Sequence, residues 1–291
     1  RRSRGEKIAD GVLLAFMILL LCFFLYPLLN MFSISLSDEY AVLRADVTFY
    51  PIGFNPQAYD LIFQSQDLWR SIGNSLFVAI VGCALSLAGL SLAAYPLAFA
   101  QFYGKKLYSF LILFTMWFQG GIIPQFLTIQ QLGLYDSLWA LIMNLLMSAY
   151  YVVIVKSYFQ SIPVSIVESA RIDGANDFRI LFQLIIPLSK PVLAVIALYY
   201  AVGHWNSWFP SMVFIRNTKL YTLQYVLRGI LITNSTSVAS GDNVLSVQEI
   251  SFASELVKYC TIVISTLPIM CVYPFLTKYF EKGVMIGAVK G

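Results

Sequence analysis

The sequence predicts an all-α polytopic membrane protein with six transmembrane helices. Hydrophobic residues make up 59% of the 291-residue chain and charged residues only 12%, against roughly 45–50% and 25% in soluble proteins. A chain this apolar cannot cover its own surface with polar groups, which excludes soluble enzymes, nucleic-acid-binding proteins and disordered chains. Its apolar segments lack the alternating pattern of membrane β-strands, so we predict that they are helices.

Six largely uncharged segments are long enough to cross about 30 Å of hydrocarbon, which takes about 20 residues. We predict spans at residues 11–34, 71–100, 107–128, 137–156, 191–212 and 257–279. Together they form one transmembrane domain of residues 11–280. The second segment is longer than a straight span needs, and we expect Pro96 to bend or end its helix. The four cysteines lie in apolar segments without neighbouring metal ligands, so we predict neither a disulfide framework nor a metal site.

Lys and Arg are distributed unevenly between the two sides of the predicted bundle. Thirteen of the 19 basic residues fall in residues 1–10, in the connections after spans two and four, and after span six. Basic residues accumulate on the cytoplasmic side of a membrane. We therefore predict that both termini are cytoplasmic, including the C-terminal tail of residues 281–291.

The long cytoplasmic connection between spans four and five, residues 157–190, has its own helix signals. Pro163 followed by Ser165 predicts a helix start, and Gly174 predicts its end. A second short helical stretch then leads to Pro187. The predicted structure is a pair of short helices at right angles to the bundle. On composition alone, an amphipathic hairpin that rests on the lipid headgroups is the favoured interpretation.

The spacing within this connection resembles the EAA loop of permease subunits from binding-protein-dependent ABC importers. That pattern is Glu-Ala-Ala, three residues, Gly, nine residues, then Ile-x-Leu-Pro. The chain has Glu168-Ser169-Ala170, Gly174 and Leu184-x-Ile186-Pro187 at the same spacing, with Ser169 and a Leu/Ile exchange as the departures. The resemblance implies a coupling helix that docks on a separate ATPase subunit. The residues it assigns to this docking are Glu168, Ser169, Ala170, Asp173, Gly174 and Pro187.

From about residue 70 onwards the chain is similar to the carbohydrate-importer branch of these permeases, of the maltose-permease type and its LplC/YtcP-like members. The supporting segments are Asn74-Ser75, residues 120–124, residues 202–210 and residues 283–291. The resemblance implies a multi-pass protein of the bacterial cytoplasmic (inner) membrane. It also implies that the C-terminal tail contacts the ATPases through Gly287, Lys290 and Gly291.

The same resemblance implies an assembly of several different subunits. Its members would be a second homologous permease subunit, two ATP-binding cassette ATPase subunits and an extracytoplasmic solute-binding protein, with an oligosaccharide as substrate. The phosphate-binding pattern GxxxxGK[ST] is absent from the sequence. We therefore expect no catalytic residue and no cofactor in this chain, with ATP and Mg bound by the partner ATPases.

Span five contains a polar and aromatic cluster that could line a sugar pathway. Its members are Tyr199, Tyr200, His204, Trp205, Asn206 and Trp208. Sugars bind to flat aromatic faces beside hydrogen-bonding groups. The alternative is that the tryptophans form an interfacial belt and His204 only packs. In span three, Gly120, Gly121 and Pro124 predict a broken helix that acts as a gate, although a simple kink explains them equally well.

The function predicted from these features is a permease subunit that imports oligosaccharides by alternating access, driven by separate ATPases. Acidic, polysaccharide-derived oligosaccharides are a possible substrate, because Arg216, Lys219 and Arg228 beyond span five would suit them. These residues could equally be ordinary loop charges. The alternative function is an ion-coupled secondary sugar carrier. Such carriers usually have internal repeats and carboxylates within their spans, and every Asp and Glu lies outside the uncharged segments.

Overall fold

The computed structural model of the protein describes residues 4–236 and 256–271, and all regular elements within those ranges are helical. The predicted all-α class is confirmed. In chain order the α-helices are α1 (Arg4–Ser35), α2 (Glu39–Leu43), α3 (Gln57–Gln64), α4 (Gln66–Phe99), α5 (Lys105–Trp117), α6 (Ile122–Gln131), α7 (Leu138–Asn144), α8 (Ala149–Gln160), α9 (Val164–Ile172), α10 (Asp177–Ile180), α11 (Ile186–Leu188), α12 (Lys190–Trp205), α13 (Trp208–Phe214), α14 (Leu223–Thr236) and α15 (Leu256–Cys271). A π-helical turn, Leu181–Ile185, joins α10 to α11, and a 3-10 turn, Thr218–Leu220, precedes α14.

The chain divides into two compact units. One comprises Arg1–Leu68 and Leu227–Leu267, and the other comprises Trp69–Val226 and Pro268–Gly291. Predicted positions beyond Cys271 lie outside the described residues. These are the end of span six and the tail residues Gly287, Lys290 and Gly291.

In the first unit, α1 is long and apolar enough to cross a membrane, and it starts at Arg4 rather than after the predicted cytoplasmic residues 1–10. The chain that follows α1 folds back onto its end. The Asn30 side-chain amide donates to the carbonyl oxygens of Val47 and Thr48, at 3.1 and 2.8 Å. Because one side chain satisfies two loop carbonyls, the connection is fixed close to the helix.

In the second unit, α4 is a continuous helix of 34 residues that contains Pro96. Proline lacks the N–H that would continue the helical ladder, and the helix ends three residues later, at Phe99. The Lys105 ammonium group donates to the carbonyl oxygens of Ala98 and Ala100, at 3.5 and 2.9 Å. These bonds supply partners for carbonyl groups that a helix end leaves unsatisfied. Pro96 therefore marks the end of α4 and not a bend within it.

Three of the predicted spans are broken within the described residues. Span three is divided into α5 and α6, which are bent by 118°, and span four into α7 and α8, bent by 57°. Span five starts at Lys190 with α12, and α13 follows after Asn206 and Ser207. At this third break the Ser207 hydroxyl donates to the His204 carbonyl oxygen at 2.6 Å, which satisfies a carbonyl at the end of α12.

The cytoplasmic connection shares one hydrophobic core with the spans. Val167 of α9 and Ile180, Leu181 and Ile185 of the following helical segment are buried in this core. They pack in one cluster with side chains of α4, α8 and α12. Because apolar burial stabilises by about 25 cal/mol per Å², this cluster anchors the connection to the helices that cross the membrane.

Residues 216–223 are held by side chains from two other segments of the second unit. The Asp136 carboxylate accepts hydrogen bonds from the backbone N–H groups of Arg216 and Asn217, both at 2.8 Å. The Asn74 amide donates to the carbonyl oxygens of Lys219 and Tyr221, at 2.9 and 3.0 Å. This short stretch therefore has a defined position on the protein.

Candidate functional site

The motif-bearing connection forms a helical hairpin, residues 163–188, that we call the loop hairpin. Its first helix, α9, follows Pro163 and has one buried residue, Val167. The remaining positions on α9 are exposed or half-buried. Val167 thus attaches the helix to the core while most of its surface stays accessible.

Gly174 makes the turn between the two halves of the loop hairpin. Its φ is +81°, a conformation that is costly for any residue with a Cβ. The Asn176 side chain then caps α10 by accepting the Arg179 N–H at 2.8 Å. The second half runs without interruption from Asp177 to Leu188 and meets α12 at 85°. Glycine at this motif position therefore has a direct conformational reason.

Most of the predicted docking residues lie on the accessible surface of the loop hairpin. The exposed ones are Glu168, Ser169, Asp173, Gly174 and Pro187, and Ala170 is half-buried. Their exposure leaves them available to a protein that binds this face.

The loop hairpin also exposes large apolar side chains that sequence reasoning did not select. Ile172 is 86% exposed and Phe178 is 67% exposed, and Val164 and Phe182 are also exposed. Exposed apolar groups of this size, next to charged residues, are typical of interaction surfaces. The signal for them was available in the apolar positions of a short helix pair that is too small to bury all of them.

A hydrogen-bonded group connects the loop hairpin to α4. Asp177 Oδ1 accepts hydrogen bonds from the Tyr95 hydroxyl at 2.9 Å and from Arg171 Nη2 at 3.0 Å. The hydrogen bond from Arg171, followed by that from Tyr95, lowers the pKa of the Asp177 carboxyl. The same contact raises the pKa of the Arg171 guanidinium. We call these three residues the Asp177 node. Sequence reasoning did not find it, because its members are far apart in the chain.

The structure separates the six predicted pathway residues into two groups. Tyr200, His204 and Trp205 are buried within the second unit. Tyr199, by contrast, is 50% exposed. Asn206 is exposed and Trp208 is half-buried. The buried group is placed as packing residues would be, whereas the other group remains accessible.

A row of aromatic rings connects the accessible group to the interior. Tyr199 stacks on Tyr151 of α8 with ring centroids 5.9 Å apart and planes within 10°. Tyr151 in turn meets Tyr200 edge to face at 5.0 Å, and Tyr200 stacks on His204 at 6.3 Å. Tyr150 and Tyr151, which sequence reasoning did not select, extend the aromatic surface beyond span five.

His204 is fully buried, and neither of its ring nitrogens has a hydrogen-bond partner among the described residues. Its ring lies against Gly82 of α4, where a Cβ atom would come within 2.6 Å of Nε2. A glycine is therefore required for α4 and α12 to approach this closely.

The predicted gate residues Gly120, Gly121 and Pro124 are exposed at the break between α5 and α6. Gly121 has φ +81°, so the break depends on glycine conformation. Just beyond it, the Gln125 amide donates to the Asn144 side-chain oxygen.

That hydrogen bond leads to the second break, between α7 and α8. There the Ser148 N–H donates to the Tyr200 hydroxyl at 3.1 Å. Polar side chains thus connect both helix breaks with the aromatic row.

Two of the basic residues proposed for acidic ligands are accessible. Arg216 and Lys219 are exposed on the segment held by Asp136 and Asn74, whereas Arg228 is half-buried. Two fixed positive charges at this surface can attract an anionic molecule.

Sequence comparison places these features in a known context. The model of a family described as binding-protein-dependent transport system inner membrane component matches residues 96–284. Protein LplC of Bacillus subtilis (strain 168) is 38% identical, over 91% of this chain and 89% of that protein. The polygalacturonan/rhamnogalacturonan transport system permease protein YtcP of the same organism is 35% identical, over 98% of this chain and 99% of that protein.

Solved structures agree with the sequence relatives. A chain from the crystal structure of a bacterial ABC transporter involved in the import of the acidic polysaccharide alginate is 32% identical, with a TM-score of 0.84, over 96% of this chain and 99% of that chain. A chain of the bacterial alginate ABC transporter in complex with an alginate pentasaccharide-bound periplasmic protein has the same fold, with a TM-score of 0.54 at 12% identity. The chain therefore belongs to the family of inner membrane components of binding-protein-dependent transport systems, and it is a non-catalytic permease subunit of the ABC-transporter type.

Proposed function

We propose that this chain is one permease subunit of an ATP-driven importer that moves oligosaccharides across the bacterial cytoplasmic membrane. One observation carries the proposal: the EAA spacing coincides with an accessible helical hairpin that shares a hydrophobic core with the spans. A hairpin of this kind can receive a push at its surface and transmit it to the helices behind it. Both termini face the cytoplasm in this arrangement.

Docking on an ATPase subunit is the role we assign to the loop hairpin. Glu168 would pair with a basic or hydrogen-bonding group of the ATPase, while exposed Ile172 and Phe178 fill its apolar cleft. Ala170 permits close approach, and Gly174 makes the turn. ATP and Mg bind to the two ATPase subunits, and the C-terminal Gly287, Lys290 and Gly291 reach toward them. Closure of the ATPases would then rotate the bundle between outward-facing and inward-facing states.

Acidic oligosaccharides are the substrate class that we propose. YtcP carries polygalacturonan and rhamnogalacturonan in its name, and the similar solved transporter is described as an importer of the acidic polysaccharide alginate. Exposed Arg216 and Lys219 provide matching positive charge. An extracytoplasmic solute-binding protein would deliver the sugar.

The substrate pathway in this subunit would be lined by the accessible aromatic and amide groups. Tyr199 and Tyr151 offer a flat stacked surface to a pyranose ring, and Asn206 and Trp208 offer hydrogen-bonding groups beside it. Tyr200, His204 and Trp205 would support this surface from behind. Movement at Gly120, Gly121 and Pro124 would open and close it, and a second homologous permease subunit would complete the pathway.

The assembly of both permeases, both ATPases and the binding protein provides the test of substrate class. We expect trigalacturonate or an alginate trisaccharide, with the binding protein, to raise ATP turnover and enter proteoliposomes, while neutral maltotriose does neither. Stimulation by maltotriose alone would contradict the acidic substrate class. Uptake that follows a proton gradient without ATP would instead establish the ion-coupled carrier.

Docking is tested separately by charge reversal. We expect Glu168→Lys to abolish retention of the ATPase subunits during purification, because a positive charge would enter the docking surface. Glu39→Lys makes the same change at an exposed residue of α2 outside the loop hairpin, and it should retain them. Full retention of the ATPases by Glu168→Lys would overturn the docking role.

A further inference from the structure

We propose that Asp177 is a positioning residue that makes α4 move together with the loop hairpin during the transport cycle. The inference rests on the proposed function, since it concerns how a push on the loop hairpin reaches a membrane span. It assigns this transmission to the Asp177 node, with Tyr95 as the group on the span.

The node joins three separate helices through one carboxylate oxygen. Tyr95 belongs to α4, Arg171 to the last turn of α9, and Asp177 to the first turn of α10. Both donors converge on Oδ1, at 2.9 and 3.0 Å. A displacement of either half of the loop hairpin therefore acts on the same atom, and through it on the Tyr95 hydroxyl.

Hydrophobic packing alone would leave the register between these helices less defined. Apolar contacts are non-directional, so Val167 and Ile180 could slide against α4 at little cost. Hydrogen bonds to a charged acceptor are short and directional. Only the node specifies which position of the loop hairpin lies opposite the end of α4.

The two sides of the node differ in how firmly they are held. Tyr95 is 6% exposed, and its ring packs on Phe99 at 5.5 Å. The side chains of Arg171 and Asp177 are 45% and 62% exposed, so water screens their ion pair. Tyr95 is thus a fixed point on the span. The exposed pair is a weak contributor to stability, and its effect should be on relative motion.

A simpler role for Asp177 would be local to the loop hairpin. A carboxylate in the first turn of α10 and a guanidinium in the last turn of α9 both suit the helix dipoles. That role requires Arg171 and Asp177 but makes no use of the Tyr95 hydroxyl. Tyr95→Phe, which removes this hydroxyl and keeps the ring, therefore separates the two explanations.

The test measures a distance between α4 and α9 in the complete transporter assembly. Spin labels at Leu92 and Ser165, both exposed, would be placed in a chain whose four native cysteines are replaced. We expect one narrow distance distribution in the nucleotide-free assembly, and the same one with MgATP and vanadate. In Tyr95→Phe we expect the distribution to widen, or to differ between the two states, because α9 can then slip.

The matched control is Tyr158→Phe. Tyr158 packs on the same hydrophobic cluster, and its hydroxyl has no hydrogen-bond partner in the part of the chain that the structure describes. We expect this variant to keep the narrow distribution. A second readout is the stimulation of ATP turnover by the binding protein loaded with trigalacturonate. It should fall about fivefold in Tyr95→Phe, the effect of losing about one hydrogen bond to a charged acceptor, while ATPase retention is unchanged.

Two outcomes count against different claims. An unchanged narrow distribution in Tyr95→Phe, in both nucleotide states, would overturn the role of the node and leave the proposed function standing. An unmodified assembly that does not hydrolyse MgATP would overturn the proposed function itself. The distance measurement needs no sugar, so the two failures are distinguishable.

Discussion

The approach of α12 to α4 is decided by a missing side chain at Gly82. The fully buried His204 ring occupies the space where a Cβ atom would stand, 2.6 Å from Nε2. Gly73, on the same helix, has no atom within 4 Å of an added Cβ. Two glycines of one helix thus have opposite structural demands, which makes them a matched pair.

We expect Gly82→Ala to lower the free energy of unfolding by about 1–3 kcal/mol, because the methyl group must displace the imidazole in a close-packed region. Gly73→Ala should instead raise it by up to about 1 kcal/mol through helix propensity. Thermal unfolding of the two purified variants in detergent measures the difference. Equal effects of the two substitutions would contradict the packing of His204 on Gly82.

The Asp177 carboxyl yields a pH prediction whose sign follows from its hydrogen bonds. Arg171 and Tyr95 lower its pKa, so its charged form stabilises the folded state above the ordinary carboxyl pKa of about 4. This contribution is lost as the pH falls through the lowered value. We expect the thermal midpoint difference between the unmodified chain and Asp177→Asn to be constant from pH 8 to 5 and to shrink below pH ~4. A difference that grows on acidification would contradict this assignment.

Residue types alone could not separate the six aromatic and polar positions of span five. Sequence reasoning identified Tyr199 and Tyr200 as neighbours with the same chemistry. Only the packing of α8 decides that Tyr200 is buried and Tyr199 accessible. The stacking partner Tyr151 comes from another span, and no local pattern indicates such a pairing.

At the scale of elements, helix boundaries were predictable where glycine or proline imposes them. Pro163 and Gly174 bracket α9 as expected. The break in span four was not predicted, because residues 145–148 contain neither glycine nor proline. There the Tyr200 hydroxyl binds the Ser148 N–H, and Leu145 lies where a side chain at Gly203 would stand. Tertiary contacts therefore overrode a local sequence that reads as helix.

The turn of the loop hairpin gives a prediction at this scale. Gly174→Ala places a Cβ at φ +81° and should destabilise the hairpin by roughly 1–2 kcal/mol. We expect weaker retention of the ATPase subunits as a result, measured by co-purification.

Gly133→Ala is the matched control, because Gly133 also has positive φ, +69°, but lies outside the loop hairpin. It should cause similar strain without loss of the ATPases. If both variants lose the ATPases equally, the effect is general instability and not the turn.

At the scale of the whole molecule, two helices present apolar surface that their own unit does not bury. None of the most apolar window of α1 is buried, and α5 has no buried residue. Apolar surface on this scale is covered either by lipid or by another protein. We expect a second permease subunit to cover part of it, consistent with the proposed heterodimer.

Co-expression with the cognate second permease should therefore raise the thermal midpoint of this chain in detergent, and native mass spectrometry should detect a one-to-one complex. A permease from an unrelated importer is the control and should do neither. A stable monomer whose midpoint does not respond to the cognate partner would count against a heterodimer.

The π-helical turn Leu181–Ile185 has a consequence for the whole chain. A π turn holds one residue more than an α-helical path needs. Deletion of a single residue there would restore the α register and rotate everything that follows by about 100°. Side chains such as Tyr199 would then point away from their partners. The length of this stretch sets the angular phase between the cytoplasmic hairpin and the fifth span, so substitutions there are tolerable in a way that insertions and deletions are not.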